Sequence, residues 1–353
     1  MEKTDIYSML PEELTEYFIS LGEPKFRAKQ VFPLLMRGEA VSDLTNLSKA
    51  LRARLEAEIL DTRPMIEEKL VSKIDGTVKY LFRLHDGSCI ESVLMKYKHG
   101  NSLCISSQVG CYMGCKFCAS TIGGKVRDLL PSELLGQVAA AARDSGERVS
   151  NIVMMGIGEP LDNFDNVVKF LRLVNHEDGL NIGYRHISLS TCGVVPGIYK
   201  LAEVDLPITL SISLHAATDE RRSEIMPVNN KWKIEELLSA CVDYYKTTER
   251  RISFEYTLIS GKNDTKEDAE RLADLLITAF RGTGAPIHVN LIRVNEVKET
   301  GFKHGTAESV NAFAKVLESR GVTATVRRKL GGDVNAACGQ LRRSNLLKSE
   351  VKA

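Results

Sequence analysis

The amino-acid sequence predicts an α/β fold: six βα units curved into a partial barrel, preceded by a helical domain and a small antiparallel β extension. Three observations carry this. From Ser102 onward, apolar runs of strand length alternate with amphipathic runs of helix length, the pattern of parallel strands with crossover helices outside. Between residues 66 and 97, Asp75-Gly76 and Asp86-Gly87 separate three alternating segments, which points to an antiparallel meander. Before residue 60, apolar residues recur at helical spacing.

A chain of 353 residues is long enough for two domains or for one barrel with an appendage. Its 43% apolar and 26% charged content is ordinary for a soluble globular protein. No run of about 18 apolar residues occurs, and Met1-Glu-Lys-Thr-Asp5 lacks the basic-then-apolar form of a signal peptide. A cytoplasmic protein without a membrane partner is therefore expected. In that reducing compartment, clustered cysteines point to metal binding or catalysis rather than structural disulfides. The net charge of +1 selects no partner, so a nucleic acid would have to be held by local basic patches.

The helical domain spans residues 1–60. Pro11 to Gly22 and Lys25 to Met36 form two amphipathic helices, and a third is expected from Ser42 to Leu60. Lys25, Arg27, Lys29, Lys49, Arg52 and Arg54 give the module local basic positions. Such a surface suits a phosphate backbone, although solvated helix faces look the same. The meander occupies 61–98, and its third strand carries Glu91, which by spacing alone reads as a surface residue.

The barrel spans 99–330. Its expected strands are Leu103–Ser107, Asn151–Met155, His186–Ser190, Ile208–Leu214, Ile252–Ile259 and Ile287–Val294. The helices between and after them are Ser132–Asp144, Asn163–Val174, Pro196–Glu203, Ile234–Lys246, Thr265–Phe280 and Ala307–Ser319. A last strand, Ala324–Lys329, leads into the Gly-rich segment 331–353. Barrels of this kind place their chemistry at the C-terminal strand ends.

From within the first of these strands runs Cys104-Ile-Ser-Ser-Gln-Val-Gly-Cys111-Tyr-Met-Gly-Cys115-Lys-Phe-Cys118, which holds four of the eight cysteines. The C-x3-C-x2-C array suits a metal or cluster, and three ligands leave one coordination position open. A zinc site completed by a distant residue is the structural alternative. Other strand ends supply small polar groups: Gly156-Ile-Gly158-Glu159-Pro160, Ser190, Ser213-Leu214-His215 and Asn295. Glycines allow a close backbone approach to a ligand, and Glu159 can accept from an ammonium group. Cys338 lies near the C-terminus, whereas Cys89, Cys192 and Cys241 read as small buried hydrophobes.

The array at its first-strand position resembles the radical S-adenosylmethionine (SAM) superfamily. Taken with Gly156-Ile-Gly-Glu-Pro160, Ser213-Leu-His215, Ala336-Ala-Cys-Gly-Gln-Leu341, Gly22-Glu-Pro-Lys-Phe-Arg-Ala-Lys-Gln30 and Thr45-Asn-Leu47, it resembles the RlmN/Cfr family of radical SAM RNA methyltransferases. The resemblance runs from about residue 9 to 345. Cys118-Ala-Ser-Thr-Ile-Gly-Gly124 favours the branch that methylates adenine carbon 2 over the branch that methylates carbon 8. Arg293 and Asn335 stand where the family commonly has Pro and Asp.

The resemblance implies a [4Fe–4S] cluster on Cys111, Cys115 and Cys118, and two SAM molecules per turnover. SAM would be contacted by Gly158, Glu159, Ser190, Ser213, Leu214, His215 and Asn295. Cys338 would take a methyl group from one SAM, and the radical from the second would activate that methyl for addition to adenine. Glu91, thirteen positions before Cys104 as in the family, would remove the ring proton. Cys104 would then resolve the adduct through a transient disulfide with Cys338. The substrates implied are 23S rRNA and, as in some family members, tRNA. The N-terminal helices and Arg327-Arg328-Lys329 would grip the RNA, and a flavodoxin or ferredoxin would supply electrons to a monomer. A non-catalytic iron–sulfur or zinc RNA-binding protein is the alternative of another class.

Overall fold

Strand β4 (Gly100–Cys104) joins two halves of one ten-stranded sheet. In the computed structural model, which describes residues 3–294 and 301–334, it pairs on one side with β3 (Cys89–Tyr97), and beyond that lie β2 (Val78–Arg83) and β1 (Met65–Val71), all antiparallel. On its other side it runs parallel to β7 (Val149–Met154). The parallel order continues through β8 (Ile187–Thr191), β9 (Thr209–Ser213), β10 (Ile252–Leu258), β11 (His288–Arg293) and β12 (Thr323–Val326). The meander expected as an appendage is thus the barrel sheet continued. Val93 pairs with Cys104, and Cys104 with Val153.

Crossover helices follow the parallel strands as alternation requires: α4 (Pro131–Ser145), α5 (Phe164–Asn175), α6 (Val195–Val204), α8 (Ile234–Thr248), α9 (Lys266–Ala279) and α10 (Ala307–Ser319). Two elements lack a sequence counterpart. A short ribbon of β5 (Gln108–Gly110) and β6 (Lys125–Asp128) closes the cysteine loop. It depends on Gly110, where a Cβ would stand 1.9 Å from the Gly124 carbonyl oxygen. Helix α7 (Asp219–Ile225) follows β9, its first turn capped by the Thr218 hydroxyl accepting from Arg221 N–H.

The sheet is strongly curled. Strands β7 and β12 stand five places apart in the order, about 24 Å in a flat sheet at 4.8 Å per strand. Yet Arg327 Nη1, just beyond β12, lies 3.8 Å from Met155 Sδ, just beyond β7. Past β12 the chain reaches the opposite edge. Gly331 N–H donates to Asp75 Oδ2 at 2.8 Å, and Asp333 accepts from Ser72 Oγ (2.6 Å) and Lys73 N–H (2.9 Å) in the β1–β2 turn.

At the N-terminus, α1 (Pro11–Ser20), α2 (Phe26–Met36) and α3 (Lys49–Glu58) bury Phe18, Phe32, Leu35 and Leu55 in the core shared with the barrel helices. Asp5 Oδ2 accepts from Ser132 Oγ at 2.7 Å and ties this module to α4. The helix expected over Ser42–Leu60 starts only at Lys49. Ser48 caps it by accepting from Leu51 N–H, and a 3-10 turn at Val41–Asp43 replaces the earlier part. Among its basic residues Lys25, Lys29, Lys49 and Arg54 are exposed, while Arg27 and Arg54 pair with Glu23 and Glu58 on their own helices.

Candidate active site

The C-terminal ends of the parallel strands surround one cavity of about 240 Å³. Its walls include Cys111, Cys115 and Cys118 on the loop after β4, Gly156, Gly158 and Glu159 after β7, Ser190 on β8, Ser213 on β9 and His215 just past it. Residues read from four separate stretches of sequence are therefore neighbours. Leu214 differs. Its side chain is buried in the main core, and it is not among the residues that line the cavity. Asn295 and Cys338 lie outside the described residues.

Backbone hydrogen bonds hold the cysteine loop. Cys111 N–H donates to the Gly124 carbonyl (3.1 Å), Cys118 N–H to that of Cys115 (3.1 Å) and Lys116 N–H to that of Ile225 (2.9 Å). The Thr121 hydroxyl donates to the Cys118 carbonyl at 2.9 Å. Cys111 and Cys115 are buried and Cys118 is half-buried. Burial pushes the Cys111 thiol up to about 12 and the Cys115 thiol higher, each raised further by the other thiols of the array. Such thiols ionise when a cationic centre binds them. Among the described residues no three His, Cys, Asp or Glu side chains close around a single ion. A cubane does not ask that of them, since each thiolate takes its own iron. The donor set fits a cluster with one open iron.

Beside the array, the Gly156–Glu159 turn is laced to residues 105–108. Gly156 N–H donates to the Ile105 carbonyl (3.0 Å), Ile157 N–H to Ser106 Oγ (3.1 Å) and Glu159 N–H to Gln108 Oε1 (2.9 Å). Gly158 has φ +113°, and a Cβ there would lie 2.6 Å from Ser107 Oγ and 2.7 Å from the Gln108 backbone nitrogen. Only glycine fits. Glu159 is 3% exposed and accepts from Leu161 N–H (3.0 Å) and Cys192 N–H (2.7 Å). Burial raises its pKa, opposed by those hydrogen bonds. An ammonium group would satisfy such a buried carboxylate.

His215 has φ +58° and is buried. Its Nδ1 accepts from Thr257 N–H at 2.9 Å, so Nε2 carries the proton as a donor. Burial, aided by Arg222, lowers its pKa to about 3, which keeps the ring neutral. Phe117 meets it edge-on at 5.0 Å between ring centroids.

Glu91 and Cys104 do not line the cavity. They share the adjoining sheet face: Cys104 pairs with Val93 across β3–β4, two residues from Glu91. Met155 joins the two regions, lining the cavity and packing against the cluster of Val93, Met95 and Cys104. Glu91 is not the surface residue its spacing suggested. It is 3% exposed and ion-paired at 3.0 Å with Lys79, which is fully buried. Leu330 brings the segment that leads towards Cys338 onto the Cys104 face.

Sequence reasoning missed Glu255 and Thr257 as site residues and read Arg327 as part of an RNA grip. Glu255, Thr257 and Arg327 line the cavity. Glu255 accepts from Asn290 Nδ2 at 2.7 Å, and burial raises its pKa. Arg327 faces the interior, while Arg328 and Lys329 are exposed. Cys192 also lines the cavity and is no mere core hydrophobe; Cys89 is half-buried, and only Cys241 sits wholly in the core. The signal available for these residues was their strand-end positions, which hold for Thr257, Cys192 and Arg327.

Comparison with known proteins agrees with this geometry. The model of the radical SAM superfamily matches residues 105–276, and that of the ribosomal RNA large subunit methyltransferase N-terminal domain matches residues 4–60. A probable dual-specificity RNA methyltransferase RlmN of Clostridium botulinum (strain Eklund 17B / Type B) is 53% identical over 342 residues, 97% of each chain. Its namesake in Alkaliphilus oremlandii is 51% identical over 347 residues, 98% of this chain and 99% of its own. The crystal structure of a radical SAM methyltransferase from Sphaerobacter thermophilus superposes with a TM-score of 0.90 at 40% identity, covering 96% of this chain and 98% of that one.

Proposed function

Because the chain belongs to the RlmN family of radical SAM, dual-specificity RNA methyltransferases, we propose that it methylates carbon 2 of a specific adenine in 23S rRNA, and of an adenine beside the anticodon in tRNA. The supporting observation is the continuity of the cavity with the Cys104–Glu91 face through Met155. On this reading the candidate SAM site lies beside the residues that would finish the reaction.

In this reading Cys111, Cys115 and Cys118 hold the cluster, and Gly158, Glu159, Ser190, Ser213, Leu214, His215 and Asn295 hold SAM. When bound, these groups supply the one-electron cleavage that opens a radical route to an electrophilic ring carbon, which ordinary methyl transfer does not reach. The protein's own residues do the rest. Glu159, fixed by Leu161 and Cys192 N–H groups, orients the methionine ammonium. Neutral His215 donates from Nε2. Cys338 accepts a methyl group and presents it to the adenine, which must arrive unstacked. Glu91 takes the proton from carbon 2, and Cys104 attacks Cys338 to release the product, leaving a disulfide that an outside thiol reduces.

The exposed Lys25, Lys29, Lys49 and Arg54, with Arg328 and Lys329, would grip the RNA backbone. No helix among the described residues is long and apolar enough to cross a membrane. The enzyme would work as a cytoplasmic monomer fed by a flavodoxin or ferredoxin. Anaerobically reconstituted protein, given SAM, reductant and 23S rRNA or tRNA, should yield 5′-deoxyadenosine and 2-methyladenosine by nucleoside mass spectrometry. Absence of deoxyadenosine would sink the proposal, and a methyl on carbon 8 would move the chain to the other branch.

A further inference from the structure

Arg222, on α7, is the largest fully buried side chain described. Its guanidinium is spread over the ends of β8 and β9. Nε donates to the Leu214 carbonyl (3.1 Å), Nη2 to those of Cys192 (2.6 Å) and Ser213 (3.2 Å), and Nη1 to Asn229 Oδ1 (3.0 Å). All four acceptors are neutral. Among the described residues no carboxylate stands within ion-pair distance of it. Asp219 is reached only through Asn229, whose Nδ2 donates to Asp219 Oδ1 at 2.9 Å.

A buried cation without a counter-ion costs several kcal/mol, and neutral carbonyls answer only part of that. If Arg222 merely stapled strand ends, a neutral donor could serve. Its surroundings suggest where the missing negative charge comes from. The C-terminal end of α7 is tied to the cysteine loop by Lys116 N–H donating to the Ile225 carbonyl at 2.9 Å. Cys115 and Cys192 pack in one cluster with Ile225 and Met226. The helix that carries Arg222 is therefore fixed to the loop that would carry the iron, and Arg222 Nη2 bonds the carbonyl of Cys192, which packs in one cluster with Cys115.

We infer that Arg222 is a positioning residue for the redox step: its fixed charge stabilises the anionic cluster held by Cys111, Cys115 and Cys118, and favours that cluster's reduced state. This rests on the cluster reading proposed above. The step is one electron passing from a low-potential flavin or iron–sulfur donor to the cluster, with no proton transferred. The product carries one more negative charge than the reactant, so a nearby buried cation favours the product. Asp219 is the opposing charge, and its neutralisation acts in the opposite direction.

The test is the cluster's reduction potential, read by EPR during a mediated titration of anaerobically reconstituted full-length protein. Arg222→Gln should lower the reduced-to-oxidised ratio about tenfold at the wild-type midpoint, a shift of about 59 mV to more negative potential. Arg222→Lys, which keeps the charge, should stay close to wild type. Asp219→Asn keeps an oxygen for Asn229 and for the Ile234 N–H that Asp219 also accepts, and should shift the potential upward. Equal potentials for the Gln and Lys variants, or a downward shift for Asp219→Asn, would overturn the inference. Should Arg222→Gln fail to fold, Asp219→Asn decides alone: an upward shift supports the inference and no shift refutes it. A wild-type protein that takes up no cluster would overturn the parent reading and this one with it.

Discussion

Replacing Lys79 by Met separates what the Lys79–Glu91 pair does for the fold from what Glu91 does for the reaction. The two side chains are 0% and 3% exposed and 3.0 Å apart, on neighbouring strands β2 and β3. Removing one member of a buried ion pair strands its partner's charge in the interior and costs about 3–5 kcal/mol. Unfolding entropy of about 2.1 cal/mol/K per residue over 353 residues comes to about 0.74 kcal/mol/K. The expected drop in Tm is therefore roughly 4–7 °C. Lys79→Met combined with Glu91→Leu removes both charges and should recover most of that loss, as apolar replacement of whole buried pairs does. Methylation should stay absent in the double variant, because the carboxylate is gone. Circular dichroism melts and single-turnover methylation of 23S rRNA provide the two readouts. A Lys79→Met melt matching wild type would refute the energetic argument. A double variant that methylates at the wild-type rate would remove Glu91 from the mechanism.

Three further outcomes are expected. Gly158→Ala forces a Cβ to within 2.6 Å of Ser107 Oγ at φ +113°, a strain of about 1–3 kcal/mol; SAM affinity, measured calorimetrically, should fall about tenfold or more, and an unchanged Kd would show that the turn is not part of the SAM site. His215 has its pKa lowered to about 3 by burial against an ordinary value of about 6.5 in the unfolded chain. Its contribution to stability is thus complete above pH 6.5 and is lost as pH falls towards the folded value, by up to about 1.36 kcal/mol per pH unit. His215→Asn, a residue that tolerates the left-handed backbone, should flatten this acid limb in denaturant titrations; an undiminished slope would assign it elsewhere. Cys104→Ala should trap a covalent protein–RNA adduct, visible on denaturing gels with labelled RNA, and normal release of methylated RNA would deny Cys104 its resolving role.

Much of the barrel was legible because its signals are local. The periodicity of Ile234–Thr248 is set by which face of that helix is buried, whereas Ile252–Leu258 alternates in residue type although all of it is buried; the expected bounds of both fall within two residues of those observed. The Asp-Gly turns worked for the same reason: Gly76 and Gly87 have φ of +71° and +83°, which suits glycine in tight turns. The early helix boundary failed because Ser48 offers a stronger start than the apolar pattern downstream of Ser42. The β5–β6 ribbon failed because strands of three and four residues carry no usable period.

In the site, the C-x3-C-x2-C spacing and the glycines of Gly156–Glu159 could be read directly, since both encode a local backbone path. Glu91 was misjudged because strand alternation reports a face, and both faces of β3 turn out to be covered: Glu91, Ser92, Val93 and Leu94 are all buried. Arg222 was passed over because a charged residue in a polar stretch, Asp219-Glu-Arg-Arg-Ser-Glu224, reads as surface. Its burial follows from where α7 lands on the strand ends.

By itself, the sequence determined the order of strands and helices, the cysteine loop and the glycine turn, because each depends on residues a few positions apart. Tertiary structure alone decided that β12 curls back to meet β7, that Lys79 faces Glu91, and that the helix carrying Arg222 is bonded to the cysteine loop, which lies 107 positions earlier counting from Cys115 to Arg222. Those contacts are set by the curvature of a sheet whose edges are bridged by Gly331 and Asp333, and curvature is a property of all ten strands together.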